Sequence, residues 1–341
     1  VAEAAACPMA EIETDLAVPI ELAPNKREFA ARTIRPKIHK LLDNFLQPVP
    51  RIELKAAAKN SRSAAQEVRS RAKADSVTLD DPAALAASLD IDTSVGACSA
   101  FATGGADQAQ ARLDLFLSDK IERYSENRNK PVTDDTTGLS AYLHFGQISP
   151  IRIALAAREL VGESDVVDEA VEDLVEELVV RRELAFNYCY YAKDYDSYEA
   201  LPDWAKTTLA EHRGDDRPHL YTAEQLEAAE TDDPYWNAAM MEMLVTGSMH
   251  NYMRMYWGKK ILEWSPTPEE AFTRTLYLNN KYFLDGRDPN SFTGVAWVFG
   301  LHDRPWTERE VFGKVRYMNA KGLERKSDIK AYVEKIEGFG G

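Results

Sequence analysis

The hydrophobic pattern predicts a mainly α fold, with an all-helical region from Ala109 to the C-terminus. Apolar residues recur there at helical spacing almost throughout, and no stretch shows a convincing alternation of the kind a half-buried strand has. A helix start is clear at Ser149 and Pro150, because serine is a favoured N-cap and proline suits the first helical position. Periodicity and capping therefore predict the same fold class.

The same pattern divides the chain into individual helices. A first helix with a basic face is predicted at residues 28–45 and is expected to be kinked or interrupted at Pro36, because proline lacks a backbone N–H. Residues 111–127 are amphipathic, and residues 165–191 form a long segment that is acidic at its start. Further helices are predicted at residues 223–229, 234–245, 250–263, 267–279 and 307–319.

Residues 54–108 differ from the rest of the chain in composition. They are rich in Ala, Ser, Asp and Lys and contain few large apolar residues. We expect an interdomain linker with one or two short helices. A plain solvated helical segment is the alternative.

Composition and charge exclude several classes of protein. The chain has 341 residues, enough for one large domain or two ordinary ones. No apolar run reaches the length of a membrane span, and the three cysteines lack the spacing of a disulfide framework or a zinc site. The formal net charge of -15 argues against a non-specific nucleic-acid binder, although residues 304–335 carry nine basic side chains that folding can gather.

The most informative stretch of the chain is residues 250–264. It places His250, Arg254 and Trp257 along one helical stripe, so a single guanidinium lies among aromatic side chains. Burying an unpaired guanidinium is costly, and Asp285 is the obvious candidate partner. Taken from the residues alone, this pattern is typical of a core helix with a structural ion pair.

A run of small hydroxyl residues precedes one of the helical segments. Residues 136–140 read Thr-Thr-Gly-Leu-Ser, and their hydroxyl and backbone N–H groups can donate hydrogen bonds to a phosphate. On this feature alone, a helix cap is the commoner explanation. No G-x-G-x-x-G motif follows a strand, so a Rossmann type of dinucleotide site has no support in the chain.

Several long blocks, in a fixed order, resemble the class II cyclobutane pyrimidine dimer photolyases of the photolyase/cryptochrome family. They include TTGLSAYLHFGQIS, EELVVRRELAFNYCYY, MHNYMRMYWGKKILEW, YLNNKYFLDGRDPN and HDRPWTEREVFGKVRYMN. The resemblance is strong over residues 121–336 and weaker over residues 9–47.

This resemblance implies that the chain has three parts. Residues 1–25 would be a remnant of an N-terminal α/β (Rossmann-like) antenna domain, and residues 26–108 an interdomain helix and linker. Residues 109–341 would be the helical FAD-binding catalytic domain. Most of the antenna domain would then be missing from this sequence, and no antenna chromophore is expected in it.

The resemblance implies FAD as the cofactor, active in its reduced form FADH⁻. Arg254 and Asp285 match the family's ion pair beside the flavin ring, where a fixed cation favours the anionic form. Asn279 matches an asparagine that faces the flavin N5, although a helix C-cap would also explain it. The residues that match the family's FAD site are Tyr124, Arg128, Thr136, Thr137, Gly138, Leu139, Ser140, Gln147, Arg254, Asn279, Asp285 and Asp288.

Three tryptophans match the family's electron relay between the protein surface and the flavin. Trp257 and Trp264 are two helical turns apart, and Trp236 lies outside their helix. Three tryptophans of the core are the plain alternative, and both interpretations can hold together. The residues to which the resemblance assigns a catalytic role are Glu177, Asn279, Arg254, Asp285, Trp257, Trp236 and Trp264.

The resemblance also implies a pocket for a pyrimidine dimer that is flipped out of DNA. Glu177 matches a glutamate that hydrogen-bonds the dimer, and the neighbouring Glu176 is an open alternative. Ordinary surface ion pairs are the alternative explanation for the arginines. The residues that match the pocket and the DNA-facing surface are Asn251, Met255, Trp297, Arg304, Trp306 and Arg316.

The implied function is light-driven DNA repair, a carbon–carbon lyase reaction in which excited FADH⁻ donates an electron to the dimer and splits it into two pyrimidines. The partner would be DNA with UV-induced dimers, bound by a monomer in the cytoplasm, or at the nucleoid in a prokaryote. The alternatives are a cryptochrome-like flavin photoreceptor without repair activity, a helical DNA-binding domain without flavin, and an enzyme that binds FAD but repairs poorly. Matches at Glu177, Met255 and Trp297 favour repair, since a photoreceptor needs no dimer pocket.

Overall fold

The structure, a computed structural model, describes residues 12–48, residue 70 and residues 82–340. Contacts divide the chain into two units, Val1–Gln47 together with Cys98–Gly341, and Pro48–Ala97. Most of the predicted linker before residue 82 lies outside the described residues. The three predicted parts of the chain stay a prediction.

Helices make up most of the first unit, and the second unit includes a short helix, α2. In chain order the α-helices are α1 (Ala31–Phe45), α2 (Pro82–Ala87), α3 (Ala106–Leu115), α4 (Ile121–Asn127), α5 (Ser140–His144), α6 (Pro150–Arg158), α7 (Asp165–Val175), α8 (Arg182–Tyr191), α9 (Asp203–Glu211), α10 (Ala223–Glu227), α11 (Pro234–Thr246), α12 (Asn251–Trp264), α13 (Pro268–Tyr282), α14 (Pro289–Val298), α15 (Ala320–Lys326) and α16 (Ile329–Glu337).

The prediction of a mainly α fold is confirmed. Within the described ranges, β pairing is limited to an isolated bridge between Arg309 and Gly313. None of the helices in these ranges is long and apolar enough to cross a membrane. Two π-helical turns, Phe116–Lys120 and Glu176–Arg181, join α3 to α4 and α7 to α8 inside segments predicted as continuous helices. Such turns are frequent at functional sites, and the second contains Glu177.

The helix at the start of the chain is not interrupted at Pro36, and five short helices were not predicted. Helix α1 continues through Pro36, because a face of buried side chains that includes Ile34 and Ile38 holds it against the core. The pattern also does not separate α5, α9, α14, α15 and α16, each of which has ten residues or fewer. Of these, α14 carries Trp297.

The prediction of a helix at residues 307–319 is wrong, because tertiary hydrogen bonds replace the helical ones. Val311 and Gly313 have φ angles of 65° and 51°, outside the helical region. The backbone N–H of Val311 donates to Asp215 Oδ2 at 2.8 Å. A Cβ at Gly313 would lie 2.2 Å from Thr208 Oγ1, so only glycine allows the chain to approach α9 this closely.

The first unit has two clusters of buried apolar side chains. One lies within residues 188–336 and contains Trp236 and Tyr256, which are among the largest fully buried side chains. The other lies within residues 17–184 and contains Ile38 of α1. The segment before residue 48 therefore packs into the helical unit.

Helix α8 fixes this N-terminal segment by hydrogen bonds. Glu183 accepts from the backbone N–H groups of Ala17 and Val18 at 3.2 and 2.9 Å. Asn187 Oδ1 accepts from the backbone N–H of Glu28 at 2.6 Å. Burial raises the pKa of Glu183 to about 8.

A buried lysine lies where α12 and α14 approach each other. A Cβ at Gly258 would lie 2.5 Å from Val298 Cγ2, so glycine permits this approach. The next residue, Lys259, is fully buried, and its Nζ donates to the carbonyl oxygen of Val298 near the C-terminus of α14. Nζ also lies 4.9 Å from the centroid of the Trp297 ring. Burial lowers the pKa of Lys259 to about 7.

We predict that Lys259→Met reduces the pH dependence of stability between the folded pKa of about 7 and the ordinary value of 10.5. Over this range the unfolded chain holds a proton that the folded chain lacks, so the free energy of unfolding rises with pH. This group adds up to about 1.4 kcal/mol per pH unit to that rise, which the variant should lose. Urea unfolding at a series of pH values measures the slope.

Lys260→Met is the control, since it removes a lysine from the same helix and leaves Lys259 in place. The rise should persist in this control. An equal slope in the wild type and in Lys259→Met would contradict the prediction.

Candidate functional site

Arg254 and Asp285 form the ion pair that the sequence predicts. Arg254 Nη2 donates to both carboxylate oxygens of Asp285, at 2.9 and 3.1 Å, and Nε donates to the carbonyl oxygen of Met249 at 3.1 Å. The guanidinium carbon lies 3.8 Å from the centroid of the Phe283 ring. Only 21% and 13% of the two side chains are exposed, so the pair fixes one cation in a sheltered position.

Ser291 links this ion pair to Asn279. The Ser291 hydroxyl donates to the carbonyl oxygen of Asp285 at 2.9 Å and accepts from Asn279 Nδ2 at 3.1 Å. Asn279 Nδ2 also donates to Asn280 Oδ1 at 3.0 Å, whereas Oδ1 of Asn279 has only a 3.4 Å contact with Ser291 Oγ. The amide thus keeps its carbonyl oxygen as the acceptor for another group. Helix α13 continues to Tyr282, so the alternative that Asn279 caps it is wrong.

Asp288 connects the Arg254–Asp285 region with α5, the helix that follows the loop at residues 136–140 (the hydroxyl loop). Its carboxylate caps the N-terminus of α14, and Oδ2 lies 3.4 Å from His144 Nδ1 and 3.8 Å from Arg182 Nη1. His144 is the last residue of α5, which begins at Ser140. The contact therefore joins the loop at residues 136–140 to the loop that precedes α14.

The hydroxyl loop lies beside a cation that the sequence does not single out. Gly138 has a φ of 62°, and a Cβ there would lie 3.0 Å from Arg112 Nη1. Arg112 Nε donates to the Tyr142 hydroxyl at 3.2 Å, and no carboxylate pairs with this guanidinium among the described residues. Thr137 Oγ1 accepts from the backbone N–H of Leu139 at 3.3 Å. The loop thus combines a left-handed glycine, hydroxyl groups and an unpaired guanidinium.

The remaining predicted residues of this loop region differ in exposure and partners. Thr136 is half-buried, Leu139 is buried and Ser140 is exposed. Gln147 Oε1 accepts from the backbone N–H of Gly105 at 2.8 Å, where α3 begins. Gln147 therefore ties the start of α3 to the turn after α5.

Tyr124, Arg128 and Glu177 form a second group of predicted residues. Arg128 Nη1 donates to Glu177 Oε1 at 2.9 Å, and the guanidinium carbon lies 5.9 Å from the centroid of the Tyr124 ring. Burial raises the pKa of Tyr124 to about 12. The neighbouring Glu176 instead pairs with Arg35 at 2.6 Å. Of the two glutamates, Glu177 is the one beside other predicted site residues.

The three predicted relay tryptophans are buried and close together. Trp236 Nε1 donates to the carbonyl oxygen of Trp257 at 3.0 Å, and the ring centroids of Trp236 and Trp264 are 5.6 Å apart. Trp264 lies 5.1 Å from the half-buried Tyr221, which the sequence does not single out. All three tryptophans belong to the larger core cluster, so a core role and a relay role are compatible.

Asp303 organises the residues that the sequence predicts to face DNA. Its carboxylate accepts from Arg316 Nε at 2.8 Å, from Trp306 Nε1 at 3.2 Å and from the backbone N–H of Arg304 at 2.9 Å. Burial by itself would raise the pKa of Asp303, but these donors, Arg316 first among them, hold it below its usual range. Asp303 thus stays ionised and fixes three predicted residues at once.

Arg316 also contacts two indole rings. Its guanidinium carbon lies 4.2 Å from the centroid of Trp306 and 5.4 Å from that of Trp297. Arg304 lies 4.6 Å from the Trp306 centroid. The partly exposed rings and guanidinium groups form one stacked series. The alternative, ordinary surface ion pairs, would not include these contacts with aromatic rings.

Asn251 and Met255 lie one turn apart on α12, exposed and half-buried respectively. Trp297 lies on α14, which packs against α12, and the ammonium of Lys259 from the next turn of α12 reaches its ring. The three predicted pocket residues are therefore on two neighbouring helices.

Four residues that the sequence does not single out hold the predicted residues in place: Arg112, His144, Ser291 and Asp303. Arg112 and His144 act on residues that are far away in the sequence, whereas Ser291 and Asp303 also contact residues within six positions. Asp303 was nevertheless contained in a block, HDRPWTEREVFGKVRYMN, that carries the resemblance. Across the described part of the chain, no group of three or more His, Cys, Asp or Glu side chains is arranged to hold a metal ion.

Comparison with known proteins gives close relatives over nearly the whole chain, although no family model matches it. The chain is 44% identical over 332 residues to the deoxyribodipyrimidine photo-lyase of Methanothermobacter thermautotrophicus, covering 97% of this chain and 69% of that protein. It is 41% identical to that of Arabidopsis thaliana and 42% identical to that of Potorous tridactylus, and spans 64% and 59% of their lengths.

Two solved structures share the fold. A class III photolyase from Agrobacterium tumefaciens has a TM-score of 0.59 and 18% identity, over 95% of this chain and 61% of that one. A Synechocystis cryptochrome has a TM-score of 0.60 and 16% identity, over 95% of this chain and 62% of that one. With the fold shared and with up to 44% identity to named relatives, the chain belongs to the deoxyribodipyrimidine photo-lyases of the photolyase/cryptochrome family.

Proposed function

We propose that the protein splits cyclobutane pyrimidine dimers in DNA with the use of light and a bound FAD. The name of its relatives specifies a deoxyribodipyrimidine as what they act on. The observation that carries the proposal to this chain is the connected group of Arg254, Asp285, Ser291 and Asn279. Asp288, three residues after Asp285, contacts His144 in α5, the helix that follows the hydroxyl loop. This group combines a fixed cation and a free amide oxygen with a site for an anion.

The residues present suit both the diphosphate and the flavin ring of FAD. The loop at residues 136–140 offers N–H and hydroxyl donors with the Arg112 guanidinium beside them, which suits a diphosphate. The sheltered guanidinium of Arg254 suits a ring that is anionic when reduced. The buried Trp257 Nε1 and His250 Nε2 have no hydrogen-bond partner among the described residues, so polar atoms remain for a ligand on α12. When bound and reduced, FAD supplies the electron that light transfers to the dimer.

In this proposal Arg254 stabilises negative charge, and the other members of the group keep it in place. Asp285 orients the guanidinium through two hydrogen bonds, and Ser291 holds the backbone of Asp285. Asn279 offers its Oδ1 to a ring N–H, because its own N–H groups already have partners. The hydrogen bonds thus set the geometry before a ligand arrives, which is what electrostatic preorganisation needs.

The tryptophan series supports re-reduction of oxidised flavin. We assign Trp257 to the cofactor end and Trp264 to the outer end, with Trp236 joining them. The ring contact between Trp236 and Trp264 and the hydrogen bond from Trp236 to the backbone of Trp257 favour electron movement in short steps instead of one long one. This role concerns recovery of the active state and not the splitting of the dimer.

We assign the DNA contacts to residues of α12, of α14 and of the segment that follows α14. Trp297 presents an aromatic face for a flipped dimer, with Met255 and Asn251 on the adjacent helix. Glu177 accepts from a base edge or holds Arg128 towards the substrate. Arg304, Trp306 and Arg316, which Asp303 holds, fill the gap in the duplex and contact phosphates. Affinity should therefore fall with rising salt concentration.

A cryptochrome-like photoreceptor without repair activity is the second candidate, because a solved cryptochrome shares the fold with a TM-score of 0.60. Both functions use flavin and the tryptophans, and only repair needs the dimer pocket. The decisive experiment is blue-light repair of a thymine-dimer oligonucleotide by the reduced protein, with a dark control. Light-dependent recovery of intact thymines supports repair, whereas bound flavin without recovery supports the photoreceptor.

We predict that Arg254→Gln weakens FAD binding by roughly 10- to 100-fold, equivalent to about 1.4 to 3 kcal/mol, because it leaves the Asp285 carboxylate without its cation. Titration of the apoprotein with FAD, followed by flavin fluorescence, measures the dissociation constant. Arg158→Gln is the matched control, since Arg158 pairs with the exposed Asp43 at 3.7 Å, a surface contact of small energetic value. Unchanged FAD affinity in Arg254→Gln would refute the assigned role.

We predict that Trp236→Phe abolishes most photoreduction of oxidised flavin but leaves repair by chemically reduced protein intact. Phenylalanine keeps much of the packing but is far harder to oxidise than an indole. Illumination in the presence of an external reductant, followed by the flavin absorption spectrum, measures photoreduction. Trp204→Phe is the control, because Trp204 packs against the same core outside the series. Equal photoreduction in the two variants would exclude Trp236 from the relay.

A further inference from the structure

A cavity of about 310 Å³ lies between the irregular segment at residues 307–319 and α15. Trp306 lines it and so joins it to the stacked series of Trp306, Arg316 and Trp297. The proposed repair reaction uses the Trp297 end of this series and leaves the cavity at the other end unassigned. The side chains that give the cavity its chemistry are Tyr252, Trp306, Arg309, Tyr317, Asn319 and Arg325.

Three side chains of the cavity can donate hydrogen bonds to a ligand: Arg309, Asn319 and Arg325. Within the part of the chain that the structure describes, Arg309 and Arg325 form no ion pair. Asn319 Oδ1 accepts from the backbone N–H of Gly322 at 2.7 Å, which leaves the Nδ2 hydrogens as donors. Two guanidinium groups and an amide are thus available to an anionic or polar ligand.

The surroundings of the cavity are basic although the chain is acidic. Residues 304–335 contain nine basic and five acidic residues, in a chain whose net charge is -15. Two of the acids are engaged elsewhere: Glu308 pairs with His212 at 3.1 Å, and Glu324 accepts from the Tyr235 hydroxyl at 2.8 Å. The local field therefore favours an anion.

The aromatic side chains of the cavity place a second requirement on its ligand. Tyr252, Tyr317 and Trp306 line the cavity, and the Arg309 guanidinium carbon lies 5.2 Å from the Tyr317 centroid. Aromatic faces stack on bases, and guanidinium groups bind phosphate. A nucleotide has both a base and a phosphate and so matches both kinds of side chain.

We propose that this cavity binds an unpaired nucleotide of the DNA strand opposite the dimer. The inference rests on the proposed function, because removal of a dimer from the duplex leaves the opposite bases without partners. The cavity shares Trp306 with the surface that is proposed to enter this gap. The stacked series would then have the dimer strand at Trp297 and the opposite strand beyond Trp306.

The test compares binding of a dimer in duplex DNA with binding of the same dimer in a single strand, at one salt concentration. The double variant Arg309→Gln/Arg325→Gln should weaken duplex binding by roughly 5- to 50-fold, the range expected for one stacked base, and leave single-strand binding close to that of its control. The control is Lys314→Gln/Lys330→Gln, which removes two positive charges from the same segment but outside the cavity. All four side chains are exposed, so folding should persist, and thermal unfolding checks it.

A second measurement places 2-aminopurine opposite the dimer. Its fluorescence should change when the wild-type protein binds and should not change in the Arg309→Gln/Arg325→Gln variant. Equal duplex-to-single-strand ratios in the cavity variant and the control would overturn the inference while leaving the proposed function intact. Equal weakening of duplex and single-strand binding would indicate that the cavity contacts the dimer strand. That result would also overturn the inference. Absence of dimer binding by the wild type would overturn both proposals.

Discussion

The sheltered ion pair of Arg254 and Asp285 is the constraint on which the candidate site depends. A guanidinium among aromatic side chains requires a carboxylate, and the carboxylate comes from a loop 31 residues further along the chain. Ser291 holds that loop and also reaches Asn279, so one charge fixes parts of α12, α13 and α14 together. Loss of either charged partner would leave the other buried without compensation, which couples the fold of this region to its chemistry.

Helix α8 likewise holds separate parts of the chain together. Arg182 lies near Asp288 and also donates to the carbonyl oxygen of Asp15 at 3.0 Å. Glu183 and Asn187 hold the same N-terminal segment. Because these groups are buried, each needs its hydrogen bonds to be stable. A helix that carries no predicted site residue thus connects the loop of Asp288 to the start of the chain.

Charge distribution explains how an acidic protein can present a surface to DNA. Acidic side chains in the C-terminal region are largely used in internal contacts, as with Asp303, which holds Arg316 and Trp306. Arg304 and Arg309 contact aromatic rings there and have no carboxylate partner among the described residues. A local patch of unpaired guanidinium groups on aromatic faces can bind nucleic acid whatever the net charge of the chain, since screening limits the range of distant charges.

The sequence by itself determined the mainly α fold, most of the longer helices and the partner of Arg254, because helical periodicity is local and a buried cation admits few partners. It also supplied ordered blocks that identify the family. Only the tertiary structure decided that residues 307–319 are irregular, since the bond from Val311 to Asp215 and the close approach of Gly313 to Thr208 join residues about 100 positions apart. The contacts of Ser291 and Arg112 were likewise beyond the sequence, because such pairings have no period and no spacing that a single chain displays.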